Sequence, residues 1–249
     1  APRVHRGVGR SRGGGPWRLC GAPECGVPGR RKTGGGVGVG RAGGHTGLGR
    51  ALCEEMGRRG AVIVATDINQ EGAEQVASTV ASAGGKVEAA LLDVTRAEDV
   101  QKRVEETAAN HGRLDYIFNN AGIAVAGEVY DMSLDHWRRI IDINLWGVIY
   151  GTHAAYPIMV RQGFGHIVNT ASLAGLCPNP HLGAYVASKH AVVGLSTTLR
   201  SEGADLGVRC SVVCPGVVRT ELIQKMTILK EETIPFTREE LLQRMPLRP

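Results

Sequence analysis

At 249 residues with 43% hydrophobic and 21% charged content, the chain can bury one substantial core, which points to a single α/β domain rather than two independent ones. No apolar run reaches the length of a membrane span and the first residues lack the apolar stretch of a secretory signal, so a cytoplasmic protein with no membrane partner is expected. The net charge of +5 is unevenly spread: residues 1–41 carry nine Lys and Arg against one acidic residue, leaving 20 basic and 23 acidic side chains in residues 42–249.

The basic segment holds a single aromatic, Trp17, and no motif of an RNA- or DNA-binding module, so nucleic acid is not an expected partner. Six cysteines, Cys20, Cys25, Cys53, Cys177, Cys210 and Cys214, follow no regular framework, which suits unpaired thiols in a reducing compartment. Cys20 and Cys25 have no second Cys or His pair at zinc spacing, and no metal is expected.

Residues 1–36 are rich in Gly, Arg and Pro, with no period of 2 or 3.6, and cannot bury enough apolar surface to offset the entropy of ordering. Disorder is expected there, and the composition fits a misread frame as well as a genuine tail. Next, Val37-Gly38-Val39-Gly40-Arg41 reads as a weak first strand, because glycine loosens it and Arg41 would enter a buried central position. From about Ala42, short apolar runs alternate with amphipathic stretches, the pattern of repeated βα units. Strands are expected at 61–66, 87–92, 114–119, 166–170 and 208–214, and helices at 47–59, 70–83, 96–111, 133–161 and 185–206, long enough to cross over a parallel sheet. A last short helix would run from Thr237, with Glu240 three residues on, to about Arg244. The expected architecture is α/β: a doubly wound, Rossmann-like parallel sheet over residues 37–249.

Gly43-x-x-x-Gly47-x-Gly49, with Thr46 and Leu48 inside it, leads into an amphipathic segment. The loop would present a helix N-terminus whose N–H groups and dipole favour a pyrophosphate. A rival match, Gly38-x-Gly40-x-x-Gly43, has no helix beside it and is a product of glycine richness. Eighteen residues after Gly49, Asp67 follows the run 61–66. A carboxylate there can accept hydrogen bonds from the adenosine ribose hydroxyls and repel a 2′-phosphate, which favours NAD over NADP. An ordinary strand-end Asp would look the same. Asp93 and Val94, after the next strand, could contact the adenine.

Tyr185 and Lys189 stand four apart in Tyr185-Val186-Ala187-Ser188-Lys189, on one face of a helix, with Ser172 thirteen positions upstream. A free phenol titrates near pH ~10 and a nearby ammonium favours the phenolate, so Lys189 would lower the pKa of Tyr185 and make it a usable acid or base. Ser172 could hold a substrate oxygen beside it. An exposed helix that happens to carry Tyr and Lys is the bland alternative for that pair alone.

Taken together, these residues resemble the short-chain dehydrogenase/reductase family, in its single-domain branch, over about residues 42–222. The glycine loop is similar to the family's cofactor loop, Asn119-Asn120-Ala121-Gly122 to its NNAG motif, and Asn144 to the helix asparagine of its catalytic tetrad, whose other members match Ser172, Tyr185 and Lys189. Pro215-Gly216, followed by Val218 and Thr220, resembles the P-G motif whose threonine contacts the nicotinamide carboxamide in relatives. The resemblance implies an NAD-dependent oxidoreductase that interconverts a secondary alcohol and a ketone, with Tyr185 exchanging the proton and Ser172 stabilising the reacting oxygen. It implies further that Lys189 binds the nicotinamide ribose and that Asn144 holds a water linking Lys189 to solvent. Asn119 would brace its strand, and Ala121 and Gly122 would let the cofactor pass close to the backbone.

Residues 217–249 would form the substrate lid, with Leu222, Ile223, Met226, Ile228, Leu229 and Phe236 offering apolar contacts either to a hydrophobic substrate or to the lid's own core. His181 and residues 176–180 would line the pocket. Ala42 stands where the family has threonine, and the chain stops at Pro249 where relatives continue into another helix and a seventh strand. A missing C-terminal strand is therefore expected, and a homodimer, formed through the helices that carry Asn144 and Tyr185, rather than a tetramer. Two rival functions are a truncated or non-catalytic dinucleotide-binding protein of the same fold and a nucleic-acid binder that uses the basic tail.

Overall fold

The computed structural model describes residues 47–216, 218 and 221–230, together with the backbone of 37–41. All of these belong to one compact unit, Gly34–Pro249. In chain order the first half contains β1 (Val37–Arg41), α1 (Gly47–Arg58), β2 (Val62–Asp67), α2 (Gln70–Ser82), β3 (Lys86–Leu91), α3 (Ala97–His111) and β4 (Tyr116–Asn119). Then come β5 (Val125–Ala126), α4 (Leu134–Ile141), α5 (Gly147–Gln162), β6 (Gly165–Thr170), α6 (Gly183–Gly203), β7 (Val208–Val213), α7 (Glu221–Gln224) and β8 (Thr227–Ile228).

Six strands form one parallel sheet in the order β3-β2-β1-β4-β6-β7. β1 holds its place by pairing on both sides, with Val39 opposite Val64 of β2 and Ile117 of β4. Its glycine-rich sequence has little strand preference of its own, so the two flanking ladders set its conformation. Strand order reverses between β1 and β4, which opens a crevice outside the carboxyl ends of the strands.

Helices cover the sheet because its strands are apolar along their length, as in β2, which is buried from Ile63 to Asp67. α1 and α2 pack Cys53, Val76 and Val80 against Ile63 and Ala65. α3, α5 and α6 pack Val100, Val104, Met159 and Leu199 against Ile117, Ile167 and Val208. Each such aliphatic side chain contributes about 1.5–3 kcal/mol on burial, so tertiary packing rather than helix propensity holds the layers. No helix among the described residues is long and apolar enough to cross a membrane.

Two features depart from the sequence expectation. The helix expected over 133–161 is interrupted by a π-helical turn, Asp142–Trp146, between α4 and α5. β5 and β8 form a separate two-stranded parallel sheet that ties the segment after β7 back to the chain beyond β4. Lys230 reinforces that tie with an ion pair to Asp131 at 2.6 Å. The short helix expected at 237–244 and the last strand expected to be missing lie outside the described residues.

Candidate active site

The sequence-derived site residues that the structure describes converge on the carboxyl edge of the sheet. Asp67 closes β2, Asp93 and Val94 follow β3, and Asn120, Ala121 and Gly122 follow β4. Ser172 follows β6, and Pro215, Gly216 and Val218 follow β7. Gly47 opens α1 with a positive φ of 58°; Leu48 is half-buried and Gly49 buried in the same turn. Gly43, Thr46 and Thr220 lie outside the described residues.

On the adenosine side, the Asp67 carboxylate is 5% exposed and accepts the Asn69 N–H at 2.8 Å, which fixes it at the end of β2. Asp93 uses one oxygen within its own turn, accepting from the Thr95 N–H at 2.9 Å and the Thr95 hydroxyl at 2.7 Å. A shallow depression, open to solvent, is lined by Val94, Asn119, Asn120, Ala121, Gly147 and Val148. Asn119 braces the depression from below: its Nδ2 donates to Asn169 Oδ1 at 2.8 Å, and Asn169 donates to Ser196 Oγ at 2.9 Å. Asn120 Oδ1 accepts from the Thr170 hydroxyl at 3.1 Å.

The π-turn explains how Asn144 enters the site. Fully buried, it accepts from the Ile123 N–H at 2.8 Å and donates to the Ile123 carbonyl at 2.9 Å and to Ser188 Oγ at 3.1 Å. Its side chain thus satisfies both backbone groups of the residue after Gly122, which would otherwise be unpaired in the interior. A side chain on Gly122 would sit 3.3 Å from Asn144 Oδ1 and 3.5 Å from Lys189 Nζ, so the two polar ends flank one bare stretch of backbone.

Tyr185 and Lys189 both face inward from α6, 7% and 3% exposed. Ser172 starts a 3₁₀ turn, Leu173–Gly175, and its Oγ accepts the Ala174 N–H at 3.2 Å. That turn can press against α6 because Gly175 has no side chain: an added Cβ would lie 2.7 Å from the Lys189 carbonyl oxygen. The Leu173 N–H donates to the Pro215 carbonyl at 2.8 Å, joining the P-G turn to the serine turn. Gly175, Asn169 and the Thr170 carbonyl escaped the sequence reading; the small residue three positions after Ser172 was the available signal.

The electrostatics correct one expectation. Lys189 Nζ donates to the Thr170 carbonyl at 2.8 Å and lies 5.7 Å from the centre of the Tyr185 ring. Burial pushes the Lys189 ammonium down from 10.5 to about 8. Burial also pushes the Tyr185 phenol up, and the Ser172 hydrogen bond only partly draws it back. Without a cofactor, then, desolvation outweighs any benefit from the lysine, and the phenol is protonated at neutral pH.

The chain belongs to the short chain dehydrogenase family, whose model matches residues 39–230. Cyclohexanol dehydrogenase of Acinetobacter sp. (strain SE19) is 39% identical over 184 residues, 73% of this chain and 72% of that protein. A short chain dehydrogenase/reductase from Burkholderia phymatum, solved in complex with NAD, superposes with a TM-score of 0.75 at 33% identity, covering 85% of this chain and 79% of that one. A proposed NAD(P)-dependent gluconate 5-dehydrogenase from Beutenbergia cavernae, with NADP bound at low occupancy, gives 0.71 at 35% identity, covering 75% and 74%. Fold and family together define an oxidoreductase with an NAD(P)-binding Rossmann fold.

Proposed function

We propose that the protein is an NAD-dependent oxidoreductase that interconverts a secondary alcohol and a ketone, with Tyr185 as the general acid/base. The observation that carries this reading is the meeting of Lys189 and Asn144 at the bare backbone of Gly122, with Tyr185 beside Lys189 and Ser172. The bare Gly122 backbone would let a dinucleotide pass close to the chain, Lys189 would hold its nicotinamide ribose, and Asp67 would meet its adenosine ribose. When bound, the dinucleotide supplies the hydride acceptor or donor.

Tyr185 moves a proton at the substrate oxygen, while the Ser172 hydroxyl donates to that oxygen and keeps it beside the phenol. A protonated Tyr185 suits the ketone-reducing direction. Asn144, fixed by the Ile123 carbonyl and the Ser188 hydroxyl, would hold a water that links Lys189 to solvent. Apolar side chains, Leu222, Met226 and Ile228 from the lid, Leu182 just before α6 and Val186 within it, cluster with Tyr185 and favour a hydrophobic alcohol. The buried Asp67 carboxylate supports NAD over NADP by repelling a 2′-phosphate.

Homodimerisation through α5 and α6 is supported by Trp146, 44% exposed and stacked on Tyr150 with ring centres 5.5 Å apart, an aromatic pair that a second copy would cover. Free thiols at the four described cysteines support a reducing, cytoplasmic compartment. To test the reading, purified protein is followed at the NADH absorbance with a panel of secondary alcohols. Turnover with NAD that exceeds turnover with NADP, and a ratio that narrows in Asp67→Ser, is expected. Binding of NAD without turnover on any alcohol would favour a non-catalytic dinucleotide-binding protein instead.

A further inference from the structure

We propose that His181, paired with Glu128, is a positioning residue that fixes the start of α6 and with it the place of Tyr185 beside Ser172, an inference that rests on Tyr185 being the acid/base. Among the described residues His181 is the one non-glycine with positive φ, at 65°. A residue that carries a side chain keeps such a conformation where the surroundings over-determine it. Here they do so from several directions.

The His181 carbonyl accepts the Gly127 N–H at 2.9 Å, and Leu182 bridges Gly127 in parallel. His181 Nδ1 lies 3.2 Å from Glu128 Oε1, with the imidazole 15% exposed. Two neighbouring residues after β5 therefore hold two neighbouring residues before α6 by backbone, with the imidazole in close approach to the Glu128 carboxylate. The grip passes directly into the helix, because the Leu182 carbonyl accepts the Val186 N–H at 2.8 Å and closes the turn that contains Tyr185. Gly183 lies against the same segment: an added Cβ would meet Val129 Cγ2 at 2.8 Å. Between Ser172 and Tyr185 the chain runs through the loop that ends at this clamp, so a slip at His181 would change how the serine hydroxyl meets the phenol.

His181→Gly removes the imidazole while leaving the backbone conformation free of strain, since glycine adopts positive φ readily. Glu128→Ala removes the other half of the pair. In the full chain, each single variant and the double variant should lose kcat by a similar factor, on the order of tenfold, because a small misplacement of a reacting group is costly and the pair acts as a unit. KM should change less than kcat, and NAD affinity should stay within about twofold, because the clamp lies away from the dinucleotide site. The alkaline titration of Tyr185, read from phenolate absorbance and assigned by comparison with Tyr185→Phe, should move upward as the Ser172 hydrogen bond that lowers it weakens. His181→Asn, which tolerates the left-handed region and keeps a hydrogen-bonding group, should recover part of the loss.

Unchanged kcat together with an unchanged phenol titration in His181→Gly would overturn the proposal. Losses that add in the double variant, or that follow equal falls in NAD affinity and melting temperature, would overturn it as well. Should the parent protein oxidise no alcohol, the proposed function fails, and the phenol titration still decides whether His181 positions Tyr185.

Discussion

Lys189 illustrates how burial governs single residues in this site. Its folded pKa, about 8, lies below its 10.5 reference, so across that interval the unfolded chain holds a proton that the folded chain lacks, and stability rises with pH. Above 9.0 the buried Cys53 and Cys210 thiols, both pushed up to about 11, act in the opposite direction, because their unfolded forms ionise first. The unfolded thiols already begin to ionise below 9.0, so between pH 8 and 9 they offset part of the rise that the lysine gives. Urea unfolding of the cofactor-free protein across that interval should show a stability that changes more favourably with rising pH in the parent than in Lys189→Met; equal slopes would contradict the buried ammonium. The i, i+4 spacing made the lysine and tyrosine legible as a pair, but not the sign of their shifts. Desolvation depends on the helices and the segment after β7 that close over them, including Met226 and Ala174, which no local spacing reveals.

At the level of elements, the edge of the sheet away from the site is set by tight turns. Gly207, just before β7, has φ 74°, and an added Cβ would lie 2.1 Å from the Gly163 carbonyl oxygen at the end of α5. Gly207→Ala should cost about 3 kcal/mol or more, combining left-handed strain with overpacking. Gly112→Ala, with φ 69° and open space around it, should cost about 1–2 kcal/mol from strain alone. Chemical denaturation of the two variants checks the ordering, and equal losses would show that the α5–β7 contact does not carry the difference. The βα alternation was readable because most strands of the main sheet are short apolar runs separated by segments long enough for a crossover helix. The π-turn at Asp142–Trp146 was not, since its cause is a distant partner, the Ile123 backbone that Asn144 satisfies. β5 and β8 also escaped, being two residues each and paired across a long stretch of chain.

Across the whole molecule, parallel strand order does the work of assembly: six strands end at one edge, so residues spread from Asp67 to Gly216 meet along that edge. Order and spacing of motifs along the chain were sufficient to read that convergence. Charge was less informative, because the basic residues of 1–41 and the mildly acidic remainder say nothing about a site built largely from buried neutral groups and one lysine. The central claim is that Tyr185 transfers the proton while the rest of the site holds the dinucleotide. The most direct measurement is the rate of NADH formation at saturating alcohol and NAD, compared between the parent and Tyr185→Phe, with NAD affinity measured by calorimetry on both. Loss of the phenol hydroxyl should leave NAD affinity within about twofold and lower kcat by about 10²–10⁴-fold, the usual contribution of a positioned acid or base. A Tyr185→Phe protein that keeps kcat within about threefold of the parent, well below that contribution, would contradict the account.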